Sequence, residues 1–291
     1  MLPSWFHGSL YVQVYGLLYP CKYGVAQIHT PIALNVRISG RLVDQSSRGR
    51  HAANMTTTPI PATDPHIIAF ASPKGGVGKS TSCACLAGAL RSRGHTVSIL
   101  DLDQNRTLEQ WAKRFPDQLR GIAVEGVEEE GFIDRIRELY DTAQGFVLVD
   151  VAGAFQKTTI AAATIAHLTI TPAKLSAPDI IEAVKLNREI RQLGAKIGKA
   201  INHRLLLNEV SPLWPTYQRA ALTDVERSGI QRFETIIHER APYAEVFLTG
   251  QPPHFAEKNR EPIIKAVAQL DALVDELLAA LDMPVEVQEA A

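Results

Sequence analysis

The chain has 291 residues, 46% of them hydrophobic, and 30 Lys and Arg against 31 Asp and Glu give a formal net charge of −1. That length suffices for one α/β domain with a sizeable core, and the near-zero charge excludes bulk attraction to nucleic acid or membrane, so any DNA contact must come from a local basic patch. The three cysteines, Cys21, Cys83 and Cys85, lack zinc-ligand spacing, and no stretch reaches the ~18 apolar residues of a membrane span.

Residues 1–64 differ in character from the rest of the chain. They hold scattered aromatics, no sustained helical period, the basic residues Lys22, Arg37, Arg41, Arg48 and Arg50, and then the polar, proline-rich run from Met55 to Pro65. The start lacks a charged n-region and a clean cleavage site, so a secretory signal is not expected. No helix-turn-helix pattern is visible either. The segment reads as an extension, disordered or foreign to the natural chain, with Met55 as a candidate start. The main domain is expected over 65–283.

From His66 on, strand and helix patterns alternate. His66–Ala71 is an apolar run that predicts a buried strand, and Ser82–Leu90 is a small-residue stretch that predicts a helix. Between them lies Pro73-Lys-Gly-Gly-Val-Gly-Lys-Ser-Thr81. A strand, a glycine turn and a helix in that order form a phosphate cradle. The N–H groups of Gly75, Gly76, Val77 and Gly78 converge on one anion, and the helix dipole favours negative charge there. Lys79 is placed to reach the β- and γ-phosphates, Ser80 to complete a Mg²⁺ shell, and Thr81 to support the α-phosphate.

Thr96–Leu100 is the next buried strand, and it runs into Asp101-Leu102-Asp103-Gln104. Two carboxylates at a strand end beside a phosphate site suit holding Mg²⁺ through water and orienting an attacking water. Leu108–Phe115 predicts a helix that Pro116 ends, Gly121–Val124 a weaker strand, and Phe132–Ala143 an amphipathic helix. Gly145–Val149 is the clearest strand, and it ends in Asp150-Val-Ala-Gly153. An aspartate after four apolar strand residues has the Walker B form. Asp150 is expected to bind Mg²⁺ through water, and Gly153 to allow close backbone approach to the γ-phosphate.

Ala161–Ala166 predicts a helix, His167–Ile170 a strand, and Ala177–Leu193 a helix closed by Gly194. Leu205–Leu207 is a strand core followed by Asn208. Tyr217–Arg227 predicts a helix, Thr235–Ile237 a short strand, and Pro242–Leu248 a short helix ending at Gly250. The last helix carries the stripe Ile263, Val267, Leu270, Val274, Leu277 and Leu281, with Asp271, Asp275 and Glu276 opposite. A flexible acidic tail is expected from 284 to 291. The whole pattern implies an α/β fold: a mainly parallel, doubly wound sheet flanked by helices, with ligands at the C-terminal strand ends.

Lys74 stands directly before the glycine pair, with Pro73 where the ordinary phosphate loop has Gly. Lys-Gly-Gly-x-Gly-Lys-Ser resembles the deviant Walker A motif of the ParA/MinD family of P-loop ATPases. The resemblance covers about residues 66–255 and is closest to short plasmid-type ParA and to VirC1. It implies that Lys74 crosses a homodimer interface to touch phosphates bound by the partner copy, so ATP binding is linked to dimerisation. Asp101-Leu102-Asp103-Gln104 resembles the family's Asp-x-Asp-Pro-Gln without its proline. Matching gives Asp103 the hydrolytic role and Asp101 a metal-side or switch role.

Asn208 matches a family asparagine that pairs with the adenine edge; a turn-forming Asn is the alternative. Glu239–Pro252 resembles a segment ending in Gly-x-Pro, a region whose arginines help bind DNA non-specifically. Arg240 matches best, with Arg219, Arg204, Lys258 and Arg260 as additions. The resemblance implies a cytoplasmic, nucleoid-associated ATPase that uses ATP and Mg²⁺ in plasmid or chromosome partition. No arginine finger lies in its motifs, so hydrolysis is expected to stay slow until a ParB-like centromere-binding adaptor stimulates it.

Three alternatives share these motifs. A MinD-like positioning ATPase needs a basic amphipathic C-terminal helix for the membrane, and the tail here is acidic. A VirC1-like DNA-transfer ATPase is the second. An ATP-dependent amide ligase of the cobyrinate-synthase type is the third, and it usually carries a glutaminase domain that does not fit here.

Overall fold

A computed structural model of the protein describes residues 10–14, 17–21, 65–153 and 156–283. The chain divides into two units, Met1–Ile60 and Pro61–Ala291. In the first, strands β1 (Leu10–Val14) and β2 (Leu17–Cys21) pair antiparallel. The candidate start at Met55 and the acidic tail from 284 lie outside the described residues.

The second unit is built on one sheet. Strands β3 (His66–Phe70), β4 (Val97–Asp101), β5 (Ala123–Gly126), β6 (Phe146–Asp150), β7 (Leu168–Ala173) and β8 (His203–Leu207) run in the order β5-β4-β6-β3-β7-β8. Every neighbouring pair is parallel. Parallel neighbours need crossovers, and the helical stretches supply them: α1 (Lys79–Ser92), α2 (Thr107–Arg114), α3 (Phe132–Thr142), α4 (Gln156–Ile165) and α5 (Ala177–Ile197). After β8 come α6 (Thr216–Ser228), the single turns α7 (Ala241–Ala244) and α8 (Val246–Thr249), and α9 (Glu261–Ala280).

Side-chain alternation splits the core into layers. Ile68, Phe70, Ile99, Phe146, Leu148 and Ile170 face α1 and α9, in a cluster that includes Leu86, Leu90, Leu270 and Val274. Their sequence neighbours Ile67, Ala69, Leu100, Val147 and Val149 face α3 and α4. With helices on both faces, central β6 is buried at all five positions and so reads as an unbroken apolar run. Edge strand β5 alternates exposed and half-buried residues instead, which is why its signal in the sequence is weak. Register sets Phe70 and Asp101 opposite Asp150, so three strand ends finish level at one edge.

Several boundaries differ from the sequence-based expectation. Gly194 does not close α5, which runs on to Ile197 and is capped by Gly198 at φ 67°. A β-carbon on Gly194 would stand 2.6 Å from the Lys199 carbonyl oxygen, so this glycine serves a close backbone approach. Thr235–Ile237 is not a regular strand. Its segment touches β8 only through spaced bonds, such as Phe233 N to Leu205 O at 3.0 Å and Ile237 N to Leu207 O at 2.9 Å. The short helix expected over 242–248 is broken at Glu245 into two turns, and Gly250 at φ 79° ends the second. Among the described residues, no helix is long and apolar enough to cross a membrane.

Candidate phosphate-binding site

The glycine run leaves β3 and enters α1. Gly76 (φ 72°) and Gly78 (φ 83°) adopt the left-handed backbone that only glycine takes without strain. Gly78 is the N-cap of α1, so the free N–H groups of the first turn face the loop. Lys79 is buried to 7% exposure, and its ammonium group donates to the Lys74 carbonyl at 3.3 Å. Gly153, one turn beyond β6, lies so close that an added β-carbon would stand 3.2 Å from the Ser72 carbonyl and 3.4 Å from Lys79 Nζ. A cavity of about 540 Å³ opens over this loop, lined among others by Gly75, Gly76, Lys79, Ser80, Asp103 and Phe247.

Asp150 ends β6 directly beneath Ser80. The Ser80 hydroxyl donates to Asp150 Oδ2 at 2.5 Å, while Oδ1 is buried with no hydrogen-bond partner. Burial pushes this carboxyl up to about 7, aided by the charges of Asp101 and Asp103 and opposed by Ser80 and Lys79. A buried carboxylate with an orphaned oxygen beside a hydroxyl fits a hard divalent cation, which would supply the missing charge. Ser80 and Asp150 are the residues that would hold it, directly or through water.

The two aspartates after β4 part company. Asp101 is fully buried, and its carboxylate accepts from the backbone N–H groups of Asp103 (3.1 Å), Leu108 (2.9 Å) and Glu109 (3.0 Å). It thus fastens the first turn of α2, where a negative charge is favoured. Burial raises its carboxyl above the usual range, and those three N–H bonds oppose the shift. Asp103 lines the cleft, and its Oδ1 accepts from Asn105 N at 2.9 Å in a local turn.

Asn208 directly follows β8 and lies against the loop. Its Nδ2 donates to the Val77 carbonyl at 2.8 Å, and a β-carbon on Gly78 would stand 2.3 Å from that nitrogen. A second cavity of about 260 Å³ opens on this side, bordered by Thr81, Asn208, Glu209, His238, Arg240 and Tyr243 among others. Arg240 points into that side, donating through Nε to Gln269 Oε1 at 3.0 Å. Arg204 stacks over the Phe233 ring at 5.7 Å with its Nε buried. Of the three arginines favoured for DNA, Arg219 is the one left exposed; Lys258 and Arg260 are exposed as well. Packing against Gln269 and Phe233 is what turns Arg240 and Arg204 inward.

Two residues stand out that motif reading passed over. Asp179 binds the ammonium group of Lys74 at 2.7 Å. Arg106 grips the loop that carries Asp103. A signal for Asp179 exists, since Ser176-Ala-Pro-Asp179 has the form of a capping box at a helix start.

The family model for the CobQ/CobB/MinD/ParA nucleotide binding domain matches residues 68–253, a span that takes in the whole site. The chain belongs to this family. Its curated relatives include the protein ParA of Rhizobium radiobacter, 26% identical over 209 residues, or 71% of this chain and 93% of that one. Another is maintenance of carboxysome distribution protein A of Gloeobacter kilaueensis, 30% identical over 61% of this chain and 81% of the relative. The fold matches solved partition and cell division proteins. A plasmid partition protein from Borrelia burgdorferi bound to AMPPNP superposes with a TM-score of 0.55 at 14% identity, covering 73% of this chain and 99% of that one. The MinD cell division protein of Aquifex aeolicus gives a TM-score of 0.55 at 20% identity over 72% of this chain and 97% of its own.

Proposed function

We propose that this chain is a partition-type ATPase that dimerises around two bound ATP molecules. The observation that carries the reading is Lys74 at the mouth of a phosphate cradle that already contains Lys79. One ammonium group suffices for a nucleotide held in cis, so a second, half-exposed one is suited to a triphosphate on another copy. In this reading Gly75 to Gly78 and Lys79 hold the phosphates, and Thr81 supports the α-phosphate. Ser80 and Asp150 hold Mg²⁺, with Asp101 holding the metal-side loop in shape. Asp103 orients the attacking water. Mg²⁺ would neutralise charge developing on the phosphate oxygens.

Asn208 acts here first as a prop for the P-loop, and it borders the cavity beside Thr81, where an adenine edge would fit. The ATP-bound dimer binds DNA without sequence preference through exposed basic groups such as Arg219, Lys258 and Arg260, and such contacts are salt-sensitive. Hydrolysis stays slow until a ParB-like adaptor stimulates it. The protein acts in the cytoplasm on the nucleoid, in plasmid or chromosome partition, without a membrane step. The similarity to the protein ParA of Rhizobium radiobacter over 93% of its length supports that output.

The test is the mass of the full chain in solution with Mg²⁺ and a non-hydrolysable ATP analogue. Wild type is expected to dimerise, Lys79→Ala to lose analogue binding, and Lys74→Ala to bind the analogue as a monomer. A Lys74→Ala protein that dimerises like wild type overturns the in-trans assignment. Wild type that takes up no analogue overturns the whole reading.

A further inference from the structure

We propose that Arg106 is a positioning residue for hydrolysis, strapping the loop that carries Asp103 into one place in the cleft; this rests on the reading of Asp103 as the residue that orients water. The loop leaves β4 after Asp101 and enters α2 at Thr107. Arg106 N donates to the Asp103 carbonyl at 2.9 Å, which closes the turn from inside. Its side chain then reaches back. Nη1 donates to the Asp101 carbonyl and, at 2.8 Å, to the Val127 carbonyl, while Nη2 pairs with the Glu128 carboxylate. Val127 and Glu128 directly follow β5, the neighbour of β4. One planar guanidinium thus ties the loop's exit to its own entry and to the next strand.

The backbone at Arg106 shows what the side chain adds. Its φ of 50° is left-handed, a conformation that residues with a β-carbon rarely adopt. Glycine would fit that backbone better, so the contribution of arginine lies in the strap. The Asp101 carboxylate holds the same loop from the other side through Asp103, Leu108 and Glu109 N–H groups. Between the two anchors Asp103 faces the cavity over the P-loop. The Asp103 carboxylate makes only a local bond, accepting from Asn105 N, so its direction follows the shape of the loop. Lysine cannot copy the strap, because a point charge lacks the fork that reaches three acceptors at once.

The decisive variant is Arg106→Gly, which suits the φ angle and removes the guanidinium. Basal Mg²⁺-ATP hydrolysis by the full chain gives kcat and KM, and titration gives affinity for a non-hydrolysable ATP analogue. A misplaced water-orienting group is expected to lower kcat by about 10–100-fold, with KM and analogue affinity held within about twofold. Arg106→Lys is expected to fall between. Wild-type kcat in Arg106→Gly overturns the proposal. So does a parallel loss of kcat and analogue affinity, which would mark a merely structural role. Asp103→Asn is measured beside them: if it hydrolyses at the wild-type rate, the reading of Asp103 fails and carries this inference with it. If Asp103→Asn is inactive while Arg106→Gly is not, the strap alone fails. Should Arg106→Gly not fold, Arg106→Lys decides: reduced kcat at unchanged analogue affinity supports the strap, and wild-type kcat overturns it.

Discussion

The ammonium group of Lys74 lies 2.7 Å from Asp179 Oδ1, so the lysine that distinguishes this phosphate loop is held by its own chain. Asp179 is buried at the start of α5, where the Ser176 hydroxyl bonds its other oxygen. A lysine that must reach a partner's phosphates has to leave this carboxylate first. In the proposed dimer the ion pair would oppose that reach, by up to about 1 kcal/mol for a pair with one exposed member.

Asp179→Asn removes the charge and keeps an oxygen able to accept from the Ser176 hydroxyl that caps the helix. Its ATP-analogue-dependent dimer is expected to form at a severalfold lower protein concentration, roughly fivefold for 1 kcal/mol. Sedimentation across a dilution series measures this. An unchanged or weaker dimer would show that Asp179 does not restrain Lys74.

Gly78→Ala is expected to disable nucleotide binding. The new β-carbon would meet Asn208 Nδ2 at 2.3 Å, at a φ of 83° that alanine resists. Relief requires the loop to move off Asn208, which breaks the bond to the Val77 carbonyl. Asn208→Ala tests the same contact from the other side. It leaves a carbonyl without its partner, worth about 1–2 kcal/mol, or roughly tenfold in affinity. Titration with a fluorescent ATP analogue ranks the two; Gly78→Ala binding as well as wild type would contradict the contact.

Much of this site was legible because it is local. The glycines of 75–78 need particular backbone angles, and Asp150 closes a run of apolar strand residues, so neighbours in sequence carry the signal. What spacing cannot reveal is where a long side chain turns. Arg240 and Arg204 read as surface cations, yet Gln269 and Phe233 draw them inward. Asp101 reads as a partner of the metal, yet three N–H groups of its own loop and of α2 bind it. Asp179 and Lys74 belong to different crossovers, and only the parallel sheet brings them together. The sheet itself followed from alternation of strand and helix, whereas the ends of α5 and β5 depended on close approaches and turns at Gly194, Gly198 and Gly121.

Asp150→Asn is expected to separate stability from function. The native carboxylate is fully buried, with Oδ1 unpaired and its proton affinity raised by burial. Removing the charge should raise the melting temperature of the nucleotide-free protein, by an amount corresponding to about 1–2 kcal/mol. The same variant should lose the further stabilisation that Mg²⁺ and ATP together are expected to confer on wild type. Thermal melts with and without the ligands measure both effects. A nucleotide-free Asp150→Asn that melts below wild type would mean that the carboxylate is better compensated than its contacts indicate.

His203 should make the fold acid-sensitive. Its Nδ1 lies 2.9 Å from Asn187 Oδ1 and its Nε2 2.8 Å from Thr171 Oγ1. Asn187 Oδ1 can only accept, so Nδ1 carries the proton and Nε2 accepts from the Thr171 hydroxyl: a neutral ring with both nitrogens satisfied. Burial pushes its pKa down to about 4, against 6.5 for an ordinary histidine. Between those values the unfolded chain binds a proton that the native state refuses, so stability rises with pH across the window. The contribution is complete above pH 6.5 and is lost as pH falls toward 4, by about 1.4 kcal/mol per unit. His66 and His238 are also shifted down and add to the same slope, while the raised carboxyls of Asp101 and Asp150 act against it. Comparison with His203→Gln isolates the single group. Urea unfolding at about pH 5 and pH 7 should show a smaller pH difference for the variant than for wild type, and equal differences would mean that His203 is protonated inside the fold.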